Sequence, residues 1–170
     1  DANIVVQPID AGMTNKNFKV LAGDQVFVAR MPGRDTELLG IERSSEMVAT
    51  IRAANLGVGP AVVAELPQMS TLLCEWLQAE VATEQSILEP GALERVAQAI
   101  RVLHDGAPLT HGFPIFDIPA RHAADAASRG IAVPAAYREL EPVVGRLRAA
   151  FDPASLVATP CHNDLLPANV

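Results

Sequence analysis

The sequence predicts an α+β fold: a strand-rich N-terminal lobe holding one helix, then a mainly helical C-terminal lobe. Two observations carry this. As far as Trp76, short β-prone runs alternate with Gly, Pro and Asp punctuation. Beyond Pro90-Gly91, apolar residues recur instead at the helical period.

Ile4 to Ile9 is apolar but broken by Pro8, which cannot donate to a ladder, so it reads as an edge strand. Asn17 to Leu21 and Gln25 to Met31 read as strands joined by a turn at Ala22-Gly23-Asp24. Pro32-Gly33 ends the second. Residues 41–54 are helical by period, with Ile41, Met47, Val48, Ile51 and Ala54 largely on one stripe, and Leu56-Gly57-Val58-Gly59-Pro60 is a stop. Ala61 to Leu66 and Ser70 to Trp76, joined at Pro67-Gln68, complete the order β-β-β-α-β-β, which predicts a five-stranded antiparallel sheet with one helix. Residues 77–91 form a polar connection. Leu93, Val96, Ala97, Ile100, Leu103 and His104 then share a helical stripe, which makes His104 a hydrogen-bonded packing residue. Gly106 to Pro119 reads as loop, the Ala-rich 119–128 as helix, and 135–150 as a helix with Leu140, Val143, Val144 and Leu147 on one face. The expected division is a first lobe over 1–76, a hinge over 77–82 and a helical lobe over 83–170.

Composition narrows the function classes. Apolar residues make up 49% and charged residues 19%, so a folded protein with a substantial core is expected rather than disorder. A net charge of −7 without any Lys/Arg run argues against nucleic acid as the main partner and suits a cationic substrate. Cys74 and Cys161 form no C-x-x-C, so a reducing, cytoplasmic setting is the default. No apolar run approaches the roughly 20 residues that span a bilayer, and no signal peptide is visible. His111 and His122 have no metal-ligand spacing with the cysteines, which rejects a zinc site. No Ser lies in G-x-S-x-G.

The chemistry concentrates in Cys161-His162-Asn163-Asp164-Leu165-Leu166-Pro167-Ala168-Asn169. Phosphoryl-transfer loops place a His two residues before an Asp that takes the hydroxyl proton, and an Asn five residues after it that holds magnesium. Asn163 and Pro167 suit irregular backbone, and Leu165 and Leu166 are expected to anchor it. An ordinary polar turn is the competing reading. Gly12-Met13-Thr14-Asn15-Lys16-Asn17 lies between the first two strands, where backbone N–H groups can meet phosphate oxygens; a plain hairpin tip is the alternative. Arg30 ends an apolar strand and Glu46 sits on the next helix, so they pair across the phosphate site or are two solvated charges. At Glu75-Trp76-Leu77, backbone groups can bond an adenine edge, while Trp76 itself suits packing.

These stretches, together with Val28-Ala29-Arg30-Met31-Pro32-Gly33, Ile41-Glu42-Arg43-Ser44-Ser45-Glu46, Leu56 to Pro60 and the helix ending in Leu103-His104, resemble one family in order and spacing. It is the choline/ethanolamine kinase and aminoglycoside phosphotransferase superfamily, most closely its bacterial choline-kinase-like branch. The resemblance implies a protein-kinase-like two-lobed fold that uses ATP and Mg2+. It implies phosphate contacts from Gly12, Met13, Thr14, Asn15, Lys16, Asn17 and Arg30, with Glu46 orienting Arg30. Backbone at Glu75 and Leu77 would hold adenine, Asp164 would be the base, His162 would brace the loop and Asn169 would bind metal. The expected reaction moves the γ-phosphate to the hydroxyl of a small alcohol, choline or ethanolamine first. Alternatives are another hydroxyl compound (an aminoglycoside or other antibiotic, thiamine, a sugar) or a catalytically dead nucleotide-binding module. The family's second metal-binding Asp is expected beyond residue 170, so these residues alone read as an inactive piece of a longer enzyme.

Overall fold

The computed structural model describes residues 3–10, 14–33, 41–151 and 159–170. Gly12 and Met13 of the expected phosphate loop lie outside the described residues. The strands are β1 (Ile4–Ile9), β2 (Asn15–Ala22), β3 (Gln25–Pro32), β4 (Val62–Leu66) and β5 (Thr71–Glu75). The helices are α1 (Arg43–Asn55), α2 (Ala92–His104), α3 (Ile118–Ser128) and α4 (Ala135–Ala150). The chain separates into two compact units: residues 1–34, 42–110 and 159–170 form one, and residues 35–41 and 111–158 the other.

In the first unit the five strands form one antiparallel sheet in the order β1-β2-β3-β5-β4. Pro8 sits opposite Phe18 in the edge strand β1, where its missing N–H breaks no second ladder. The β2–β3 turn works because Gly23 takes φ 61°, a left-handed conformation that residues with a Cβ rarely adopt. β5 is inserted between β3 and β4, and Thr71, Leu72 and Cys74 on it are buried. Ala92 and Pro160 are the remaining buried residues among those described, so the core is smaller than 49% apolar composition suggested.

Helix α1 begins at Glu42, whose carboxylate accepts from the Ser44 and Ser45 amides at 3.3 and 2.7 Å and so caps two otherwise unpaired N–H groups. It stops in a glycine cap. Gly57 takes φ 72°, its amide bonds Ala54 O at 3.0 Å, and the Val58 amide bonds Ala53 O at 3.0 Å. None of the α1 residues is buried, and Val48, placed on the apolar stripe by period, is 42% exposed. Polar bonds at both ends hold the helix instead. Arg52 donates to the carbonyls of Ala107 and Pro108, and Glu46 and Arg43 bond the sheet side.

Helix α2 turns Ala92, Val96, Ile100 and Leu103 inward. That face is offset from the expected stripe, so Leu93 and His104 are exposed. His104 is therefore not a packing histidine. It lies in the last turn beside Arg101, where positive charge complements the helix C-terminus.

In the second unit, Asp117 caps the start of α3 by position and ion-pairs with Arg148 of α4. Phe116 and Phe151 pack with ring centroids 5.9 Å apart. Helix α4 runs through Pro142. Leu140 and Leu147, expected on its apolar face, are each about half exposed.

Candidate active site

The loop from Cys161 to Val170 belongs to the first unit. Its bend is local chemistry. Asn163 adopts φ 61°, a left-handed conformation that Asn tolerates better than most residues. The Asp164 carbonyl then accepts from the Leu166 amide at 2.9 Å, and Pro167–Asn169 closes as a single 3₁₀ turn with Pro at its start. The Asn169 amide nitrogen donates to the Asp164 carbonyl at 2.9 Å and to Asp164 Oδ2 at 2.8 Å. The His162 ring accepts the Asp164 amide through Nδ1 at 3.3 Å. Polar bonds thus shape the loop. Leu165 and Leu166, expected as anchors, are 51% and 57% exposed.

Leu165, His162 and Asn169 line a cavity of about 760 Å³ together with Glu75, Leu77, the Gly57 to Ala61 turn and the inward face of α2. The stretch after β5 and the Asp164 loop therefore share one cleft. The Glu75 amide is used by Ala61 O at 2.9 Å, and Glu75 Oε1 accepts the Ala61 amide at 2.9 Å. The Trp76 amide bonds Val26 O at 3.3 Å. The Leu77 amide has no backbone acceptor among the described residues. Lys19 lies 4.2 Å over the Trp76 ring, so Trp76 is a half-buried cation–π partner.

A second cluster forms where β2, β3 and α1 meet. Arg30 Nη2 donates to Glu46 Oε1 at 2.7 Å, and Asn15 Nδ2 reaches the same oxygen at 3.0 Å. Arg43 ion-pairs with Glu46 Oε2, donates to Asn15 Oδ1 at 2.7 Å and reaches the Thr14 carbonyl at 3.0 Å. Burial pushes the Glu46 carboxyl up, but the hydrogen bonds from Arg30 and Asn15, the Arg30 charge and the Arg43 bond outweigh it and hold it below its usual range. Lys16 is exposed, and Asn17 pairs with Arg30 across β2 and β3. Sequence reasoning did not single out Arg43. Its spacing of three from Glu46 was the available signal.

Residues 5–170 match the phosphotransferase enzyme family, APH. The chain belongs to that family. Its fold is similar to a choline/ethanolamine kinase family protein of Mesorhizobium loti (27% identity, TM-score 0.72), covering 97% of this chain and 53% of the other. It is also similar to the choline kinase LicA of Streptococcus pneumoniae (20% identity, TM-score 0.76), over 97% of this chain and 57% of that one. A further structure of LicA, in complex with AMP, matches at 19% identity and TM-score 0.73, over 99% and 58% of the two chains. The chain thus spans just over half the length of these solved structures. Among curated proteins no match reaches significance. The expected family and the kinase-like α+β fold both hold.

Proposed function

We propose that this chain carries the nucleotide-binding and proton-accepting part of an ATP-dependent phosphotransferase acting on the hydroxyl of a small alcohol, choline or ethanolamine. The observation that carries the reading is the Asp164–Asn169 pair. Asp164 Oδ2 is held by Asn169 at 2.8 Å, and Asp164 Oδ1 has no partner among the described residues. One carboxylate oxygen is thereby fixed while the other can take the acceptor's proton as it attacks in line. His162 orients the loop through the Asp164 amide and carries no proton in the step.

Asn169 uses its amide nitrogen on Asp164, which leaves Oδ1 as the atom to face a cation. An amide oxygen suits Mg2+, which takes few protein ligands and completes its shell with phosphate oxygens and water. Among the described residues no group of three or more His, Cys, Asp or Glu could form a protein cage, so Asn169 would hold an ion carried by the nucleotide. Bound there, the ion would neutralise charge on the phosphates. Arg30 and the Thr14 to Asn17 side of the β1–β2 connection would meet phosphate, and Glu75 and Leu77 backbone would meet adenine. On this reading residues 1–76 are the nucleotide lobe, 77–82 the hinge and 83–170 part of the helical lobe. A net charge of −7 supports a cationic acceptor, and two free thiols fit a cytoplasmic setting.

The test is ATP consumption by the natural protein with choline, ethanolamine, an aminoglycoside, thiamine or a sugar as acceptor. Choline or ethanolamine should be turned over, and Asp164→Ala should cut turnover on the order of a thousandfold while leaving ATP binding in place. Consumption with an antibiotic alone would redirect the substrate, and ATP binding without any consumption would favour a dead module. Near wild-type turnover in Asp164→Ala would remove it as the base.

A further inference from the structure

We propose that Arg43 is a positioning residue of the phosphate site, tying the start of β2 to α1 and holding Glu46 in place for Arg30; this rests on the nucleotide reading above. Arg43 joins two parts of the chain: it reaches the Thr14 carbonyl at 3.0 Å and Asn15 Oδ1 at 2.7 Å at the start of β2, and Glu46 Oε2 on α1. The same Thr14 carbonyl accepts the Gly33 amide at 3.0 Å, so Arg43 fastens α1 to the point where the start of β2 and the end of β3 are already joined. No residue of α1 is buried, so such bonds rather than apolar packing set the position of its first turn. A planar guanidinium suits this task, since its fixed fork addresses several acceptors at once.

The charges divide the work. Arg30 and Arg43 take opposite oxygens of Glu46, Arg30 from the edge of the cluster, and Arg43 also reaches Asn15 and Thr14. Its side chain is only 19% exposed, against 47% for Arg30. Arg30 is therefore the contacting group, and Arg43 acts through Asn15, Glu46 and the backbone of Thr14.

The experiment measures ATP and adenosine affinities, with Mg2+ present, for wild type, Arg43→Ala and Arg43→Lys. Adenosine lacks phosphates, so it reports the hinge alone. Arg43→Ala should weaken ATP binding about tenfold and leave adenosine within about twofold, with Arg43→Lys losing about threefold for ATP because it keeps the charge but not the fork. An equal loss for both ligands would mean that Arg43 only stabilises the fold, and unchanged ATP affinity would mean that it positions nothing; either overturns the proposal. Should Arg43→Ala not fold, Arg43→Lys decides: loss for ATP with adenosine retained supports the proposal, and parity on both overturns it. Wild type binding neither ligand would overturn the nucleotide reading and this proposal with it.

Discussion

Glu46→Ala removes an acceptor shared by two arginines. In the folded chain Oε1 takes Arg30 at 2.7 Å and Asn15 at 3.0 Å, and Oε2 takes Arg43. With Glu46 24% and Arg43 19% exposed, water replaces these bonds only in part. A hydrogen bond to a charged group contributes about 1.5–3 kcal/mol, and an exposed pair about 0–1 kcal/mol. The Arg43 bond belongs nearer the first class and the Arg30 bond, on a half-exposed guanidinium, nearer the second. Removing Glu46 also leaves two like charges side by side, so a loss of about 2–4 kcal/mol is expected. Glu46→Gln keeps an acceptor and should lose about 1–2 kcal/mol. Trp76, the chain's single tryptophan, lies in the same unit and reports urea unfolding by fluorescence. Because the folded Glu46 carboxyl lies below its ordinary 4.5, its stabilisation is full above that pH and disappears as pH falls through the folded value. The gap between wild type and Glu46→Gln should close on acidification in that window. If Glu46→Ala unfolds at the same midpoint as Glu94→Ala, an exposed change on α2, the network carries no stability and the reasoning fails.

Three further outcomes follow from the same geometry. Asn169→Ala should raise the magnesium concentration needed for half-maximal turnover by about tenfold, and an unchanged requirement would remove Asn169 from the metal site. Glu42 has its carboxyl lowered from 4.5 to about 2 by side-chain hydrogen bonds from Ser45 and then Ser44, aided by the backbone amides of the same serines. Its cap is therefore complete above pH 4.5 and lost as pH falls toward 2; helicity of α1 followed by amide exchange should lose protection there in wild type and show no such transition in Glu42→Gln. Burial raises the Cys74 thiol, with the Arg30 charge opposing and Glu75 adding, whereas Cys161 is exposed. A thiol reagent at pH 8 should thus label Cys161 in the folded chain and Cys74 only after unfolding; early labelling of both would contradict the packing of β5.

Local chemistry made much of this protein legible. Gly23 and the Leu56 to Pro60 stop mark their turns because only certain residues tolerate φ near 60–70°, and both appear where expected. The element order and the Asp164 loop are equally local, since Asn163, Pro167 and Asn169 close it within a few residues. What period and spacing do not encode is which partner a side chain meets across the chain. The α2 stripe shifted by about one position because Val96, Ile100 and Leu103 face the cavity and Ala92 is buried, leaving Leu93 and His104 outside. The insertion of β5 between β3 and β4 depends on closing long loops, and a strand's own pattern fits either neighbour. Arg43 reads in the sequence as one more charge on a helix. Only the fold brings it to Thr14 and Asn15, 29 and 28 residues away, and turns a local ion pair into the fastening between α1 and the start of β2.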